Sequence, residues 1–291
     1  MLQAARAQIR CRQIEVSDLD SIASLLVRGF PGSTKGFWSG ALERLQNRRV
    51  PDGFPRFGYM LESEGAAVGV LMLICSGAGS GSPASIRCNV SSWYVEPAFR
   101  NLAPLLVSRA MKHKPATFIN VSPAPHTWPI IEAQGFSRFC TGTFVAVPAL
   151  IPRFGTARIR EFRDAADFSK ALAAGDIALL SDHRDYGCLC LVCETKDGAF
   201  PMIFRRKNIW RGLLPAAQLI YCPSLDSLTK AAGPLGRYLL GKGLPLLLIG
   251  ATGPLPLPGR YSHDKWPMYY RGQDKPWSGD IAYTERAIFG V

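Results

Sequence analysis

Apolar and polar positions alternate over residues 12–16, the period of a short strand, and then the period changes. From Ser17 or Asp18, either of which can cap a helix, Leu19, Ile22, Ala23, Leu25 and Leu26 fall on one side of a helix running to about Arg28. The stretch PGSTKG breaks that pattern, and a second short helix is predicted over 37–46. Residues 57–63 and 67–75 are apolar runs around Glu64-Gly65-Ala66, which reads as a hairpin. GAGSGSPAS (77–85) reads as a flexible loop, and 86–95 as the next strand. Pro97 opens a turn into a helix over 102–112, followed by a strand over 117–121. A helix over about 126–134, with Pro129 in its first turn, stops at Gly135, and 139–147 is again a strand.

The Pro-rich segment 148–155 reads as a linker. Beyond it the order of elements loosely repeats. Residues 159–162 are a strand and 165–174 a helix. Residues 188–194 and 200–205 form a hairpin around Lys196-Asp197-Gly198. A strand over 218–222 leads to a helix over 225–240, broken or kinked at Gly233-Pro234. Strands over 244–249 and 281–289 complete the chain. The pattern predicts two α/β domains of similar build, 10–150 and 156–291, with mixed, largely antiparallel sheets flanked by helices.

With 291 residues the chain is long enough for two cores. Charge does not separate the halves. Residues 1–150 carry 15 Lys and Arg against 9 Asp and Glu, and residues 151–291 carry 19 against 13, so each half is +6. An even positive balance suits anionic ligands without selecting one. Eight cysteines at irregular spacing do not form a disulfide framework. Cys188, Cys190 and Cys193 have metal-like spacing, but CLCLVC reads as a buried strand with Cys188 and Cys190 on one face and Cys193 on the other, so no metal is expected. No apolar leader precedes the first strand, and Leu244 to Leu257 is interrupted by Pro245, Gly250, Gly253, Pro254 and Pro256. A soluble, cytoplasmic protein without membrane contact is the expectation. Asn89 and Asn120 head N-x-S sequons that fall inside strands.

Chemistry concentrates in residues 93–111, WYVEPAFRNLAPLLVSRAM. A strand ends at Val95-Glu96-Pro97, an aromatic and an arginine follow at Phe99 and Arg100, and a helix begins. This resembles the acyl-CoA-binding turn of the GNAT superfamily of N-acyltransferases. The later strand, helix and Gly135-Phe136 stand where that family has them, so the resemblance covers about 140 residues. It implies acetyl-CoA or another acyl-CoA as cosubstrate and a small-molecule amine as acceptor, with no nucleic acid partner. It places the thioester and pantetheine against the backbone of Trp93, Tyr94 and Val95, and the phosphates at Phe99, Arg100, Asn101, Leu102, Ala103 and Leu105. Such a turn works because the first amides of a helix lack internal partners and its dipole favours negative charge. Against the family's Q/R-x-x-G-x-G/A pattern Arg100 fits, whereas Ala103 and Leu105 occupy the two small positions and Pro104 removes one donor.

The resemblance also implies a tyrosine late in the following helix as the acid for the leaving thiolate. Ile131 stands there. His126 is the nearby alternative acid or base, with a packing or capping role as its plainer reading, and Tyr269 and Tyr270 are further candidates. Glu62 and Glu64 are possible bases for the amine, or simply a solvated turn. Arg205-Arg206-Lys207 with Trp210 and Arg211 is a basic-aromatic run. Tyr261, Trp266, Tyr269, Tyr270 and Trp277 either form an acceptor pocket or cover the second core. No phosphate turn is expected in the second half, whose equivalent step, Pro223-Ser224-Leu225-Asp226, is acidic. The leading reading is an acyl-CoA-dependent N-acyltransferase. The alternative is a non-catalytic acyl-CoA-binding, structural or regulatory module.

Overall fold

The computed structural model describes residues 9–77, 86–114, 116–152 and 157–290. The segment 77–85, expected to be a flexible loop, lies outside the described residues after Gly77, as does 153–155 of the expected linker. Residues 9–77 with 86–118 form one compact unit and residues 119–290 another.

In the first unit, β1 (Ile9–Gln13), β2 (Gly58–Ser63), β3 (Ala66–Gly77) and β4 (Ile86–Val95) form an antiparallel meander. Glu64 and Gly65, both at positive φ, make the β2–β3 turn. Every residue of β3 from Ala67 to Ser76 is buried, which requires cover on both sheet faces. Helices α1 (Leu19–Gly29) and α3 (Ala103–Ala110) both pack on β3 and supply it. The expected apolar side of α1 is the buried one, with Ile22, Leu25 and Leu26 fully enclosed. Helix α2 (Lys35–Gln46) begins where Thr34 accepts a hydrogen bond from the Phe37 amide.

Strand β5 (Ala116–Asn120) ends in the second unit, which continues with α4 (Trp128–Ala133) and β6 (Ser137–Ala146). Gly135, at φ 82°, stops α4 as its sequence predicts. Next come β7 (Arg158–Glu161), α5 (Ala174–Asp185), β8 (Leu189–Thr195), β9 (Gly198–Ile209) and β10 (Leu214–Tyr221). The chain then forms α6 (Leu225–Gly241), β11 (Leu246–Ala251), β12 (Gly259–Arg271) and α7 (Glu285–Ile288). Strands β7 to β10 are an antiparallel meander, β10 and β11 are parallel, and β6 lies antiparallel between β11 and β12. The mixed, largely antiparallel α/β class is therefore the observed one. Two cores cover the sheet. One gathers Leu179, Leu180, Cys188, Cys190 and Ile203, and the other Cys193, Phe204 and the inner side of α6. The pleat of β8 thus divides the three thiols as the alternation requires.

Four readings are corrected. The helix expected over 165–174 is only a 3-10 turn, Ala166–Phe168, and the true helix, α5, begins at Ala174, where the weakly periodic AGDIALLSDHRD gives little signal. Residues 281–289 are not a strand but a turn leading into α7. The first part of the supposed linker is a 3-10 turn, Pro148–Leu150, packed against α6 with Pro148 buried. Strand β12 was hidden by Asp264 and Pro267. There His263 pairs with Gly142 and Met268 with Cys140, so extra residues bulge out, with Asp264 and Trp266 at positive φ. A proline is tolerated at such a bulge because no ladder amide is needed.

His183 explains how α5 and the residues before α7 are held. It is fully buried, its Nδ1 2.8 Å from the Leu179 carbonyl, and its Nε2 accepts from the Tyr283 amide at 3.1 Å. A neutral ring with its proton on Nδ1 satisfies both bonds. Burial lowers its pKa to about 4. The folded value is depressed, so protonation favours unfolding. The stability that His183 contributes should fall as pH drops from about 6.5 towards 4. Urea denaturation across that range should show the stability advantage of the wild type over His183→Gln, large at neutral pH, shrinking towards pH 4.

Candidate functional site

Strand β4 carries the feature on which the site depends. Val70 pairs with Tyr94 and Met72 with Ser91, so three steps on β4 oppose two on β3. The extra residue is Ser92, at φ 47°. This is a β-bulge, and it takes the backbone of Ser92 and Trp93 out of the regular ladder. The Trp93 indole nitrogen is buried there without a hydrogen-bond partner.

The turn after the bulge is clamped. Glu96 accepts hydrogen bonds from Arg28 of α1 at 2.6 Å and from the Tyr94 hydroxyl at 3.1 Å, and its amide donates to the Val68 carbonyl. Tyr94 lies over Gly29, where an added Cβ would sit 2.4 Å from the ring, so no larger residue fits at the end of α1. Val95 is buried. The expected loop is a 3-10 helix, Pro97–Leu102, running directly into α3. It binds the Phe99 amide to the Glu96 carbonyl and the Ala103 amide to the Arg100 carbonyl. With Pro104 lacking an amide, fewer donors face outward than an open glycine-rich loop would offer. Arg100 and Asn101 are exposed, Phe99, Leu102 and Ala103 are half-buried, and Leu105 is 46% exposed. Arg100 makes no ion pair among the described residues, and its charge is available to an anion.

The other sequence candidates separate. His126 is exposed on the 3-10 turn Pro125–Thr127 of the second unit, whereas residues 93–105 belong to the first. Its loop is fixed by bonds from Thr127 Oγ1 to the Ala124 carbonyl and from the Trp128 indole to the Pro123 carbonyl. Ile131 is buried in α4. Glu62 is no free base, because Arg12 bonds it at 2.7 Å while also holding Asp18 through two bonds. Glu64 is the exposed turn residue.

The aromatic residues 261–277 do not form one pocket. Tyr261 bonds Thr141, Trp266 stands over Lys207 and Lys265, and Tyr270 packs edge-on against Phe139. The Tyr269 hydroxyl lies between Arg138 and Glu132, and burial with the Glu132 hydrogen bond pushes it up to about 12, a poor acid near neutral pH.

In the second unit two parallel strands diverge. Strands β10 and β11 pair over Ala216–Gln218 and Leu246–Leu248 and then separate. Residues 277–281 enter between them. The Ile281 amide donates to the Ile220 carbonyl, the Cys222 amide to Gly279, and the Trp277 indole to Cys222, all at 2.8–2.9 Å. On the β11 side, a Cβ on Gly250 would come within 3.2 Å of the Ser278 carbonyl oxygen. The polar edge of β10 is thereby satisfied by the chain itself.

Several solved structures share this architecture across nearly the whole chain. A GCN5-related N-acetyltransferase from Anabaena variabilis superposes with a TM-score of 0.60 at 9% identity, covering 91% of this chain and 72% of that one. One from Kribbella flavida gives 0.54 at 15% identity, covering 93% and 72%. A candidate acetyltransferase from Pyrococcus horikoshii gives 0.54 at 11% identity, covering 97% and 96%. The fold is that of the GNAT superfamily. No protein-family model and no curated protein matches the sequence. The fold that the resemblance of residues 93–111 implies is thus the one observed. Among the described residues no helix is long and apolar enough to cross a membrane.

Sequence reasoning passed over one group. Glu285 is fully buried and accepts a 2.5 Å hydrogen bond from Ser122. Burial, opposed by that bond, pushes its carboxyl up to about 7. A glutamate in a segment expected to be a strand gave no signal. The folded value is raised above the unfolded one, so the stability this group contributes is greatest below about pH 4.5 and is lost as pH rises through 7. Glu285→Gln should remove that loss, making the variant about 2–4 kcal/mol more stable relative to wild type at pH 8 than at pH 4. Chemical denaturation at the two pH values measures it.

Proposed function

We propose that this protein is an acyl-CoA-dependent N-acyltransferase whose acyl-CoA lies along β4 and against the turn into α3. The observation that carries the reading is the bulge at Ser92 leading into the clamped Val95-Glu96-Pro97 turn, within a GNAT fold. A bulged strand offers backbone groups of Trp93, Tyr94 and Val95 to the amides and thioester carbonyl of a pantetheine arm. Arg100 supplies a charge for the phosphates, beside Phe99, Asn101, Leu102, Ala103 and Leu105. The acceptor amine attacks the thioester carbonyl directly, nitrogen bonds to carbon, and CoA leaves as the thiolate. A thiolate near its ordinary pKa of about 8.5 leaves without strong acid assistance, so catalysis survives the isoleucine at 131. The proton that the attacking nitrogen loses passes to solvent, which also protonates the departing thiolate.

The second unit is proposed as a degenerate copy. Its order β7, α5, β8, β9, β10, α6, β11 follows the order β1, α1 and α2, β2, β3, β4, α3, β5. It takes no acyl-CoA of its own, because residues 277–281 fill the space between β10 and β11. The 3-10 helix that engages the Phe99 and Ala103 amides favours a second reading, an acyl-CoA-binding module without turnover. A soluble, cytoplasmic setting and a small-molecule amine acceptor accompany the main reading.

Arg100→Ala should weaken acyl-CoA binding by about 1–3 kcal/mol, the scale of a charge-assisted hydrogen bond, as read by calorimetry. Unchanged binding removes the turn from the site. Thiol release from acetyl-CoA and longer acyl-CoAs with a panel of amines should be slow but measurable. Binding without thiol release selects the module reading.

A further inference from the structure

The second unit contains a group of cations that neither its folding nor the proposed acyl transfer explains. Lys207, on β9, places its Nζ 5.0 Å from the centre of the Trp266 ring, and Lys265 places its own 5.3 Å from the same ring. Arg286 of α7 is buried and donates a hydrogen bond to the sulfur of Met268 at 3.9 Å. Burial and the nearby Arg286 both depress the Lys207 pKa, so the two cations oppose each other. Neither lysine has a carboxylate partner among the described residues. Asp264, the nearest acid along β12, is taken by Arg138 at 2.7 Å and by His263 at 3.0 Å. Glu285, next to Arg286, attracts its charge, but it is also held by Ser122 and burial pushes its carboxyl up to about 7, so it offsets Arg286 in part and neither lysine.

Like charges gathered in a partly desolvated place are unfavourable unless something anionic joins them. Three further observations point to a ligand. Gln218 is the register partner of Arg205 and therefore the diagonal neighbour of Lys207 on the same sheet face. It is 4% exposed, and its side-chain oxygen has no hydrogen-bond partner, a cost that native proteins seldom leave uncompensated. The bulge of β12 holds Trp266 at φ 58°, a conformation that is strained for an aromatic residue and that recurs at ligand sites. Finally, Trp266 is 37% exposed and Lys265 is exposed, so the group is reached from solvent.

We propose that Lys207, Lys265, Arg286 and Gln218, beside Trp266, form a binding site for a phosphate-type oxyanion, carried by the second unit alone. The cations supply charge and donors to the oxyanion. A hydrogen phosphate or a phosphate monoester also carries a hydroxyl or a second polar group able to reach the Gln218 oxygen, which a bare halide lacks. The site requires no covalent step and no acyl-CoA.

The test uses the full chain and inorganic phosphate, at constant ionic strength with chloride as the balancing anion. Succinate, a dicarboxylate, is run in parallel to separate phosphate from general carboxylate recognition. Thermal unfolding should show a saturable rise in Tm with phosphate beyond the chloride control. Lys207→Met should raise Tm in chloride, because a like charge is removed, and weaken phosphate affinity at least ten-fold. Lys265→Gln should weaken it several-fold, and this exposed position keeps the test independent of folding. An equal or stronger response to succinate would overturn the phosphate assignment. Absence of saturation, or phosphate binding unchanged in both lysine variants, would overturn the site.

Discussion

Two parallel strands that diverge leave backbone N–H and C=O groups facing a gap too wide for them to bond each other, and buried groups of that kind must find partners. The fold is organised around this constraint. In the second unit, β10 and β11 separate after three paired residues, and the edge is met by residues 277–281 through Ile281, Gly279 and Trp277. That closure fixes the path of the C-terminal segment, and His183 pins the same segment two residues later through Tyr283. In the first unit the irregularity is of another kind, an extra residue at Ser92 that frees backbone at the end of β4. One irregularity is filled from within the chain, and the other is the place proposed for the acyl-CoA.

The turn that follows β4 is rigid for reasons of charge and size rather than of glycine content. Arg28, Glu96 and Tyr94 form one linked set, and Gly29 allows Tyr94 to lie against the end of α1. A turn fixed in this way needs no flexible loop to present Arg100. Its cost is that the 3-10 helix engages amides that an open loop would leave for phosphate. With fewer free donors, the proposed phosphate site depends on Arg100 for its charge.

The first unit was legible in the sequence because each element has one strong period. Ile22, Leu25 and Leu26 marked α1, and the apolar runs around Glu64-Gly65-Ala66 marked the β2–β3 hairpin; in the second unit Gly135 marked the end of α4. The turn motif was legible too, since Val95-Glu96-Pro97 and Arg100 stand at fixed steps. What escaped had a physical reason in each case. Strand β12 contains a bulge with Asp264 and Pro267, so its local pattern is that of a loop, while its pairing with β6 is a long-range property. Helix α5 is short of apolar positions, and the His183 that anchors it reads as an isolated polar residue. The filling of the β10–β11 gap, the Ser122–Glu285 bond and the Lys207–Arg286 group all join residues far apart in sequence, and no local pattern encodes them.

In the proposed function acyl-CoA lies along β4 and the turn into α3. Hydrogen–deuterium exchange of the full protein, with and without a saturating acyl-CoA, reads this peptide by peptide. The account predicts slowed exchange in peptides covering 91–106, with peptides covering 218–222 and 277–281 already protected and unchanged by ligand. Slowed exchange confined to 218–222, 246–251 and 277–281 would place the ligand in the second unit and contradict it.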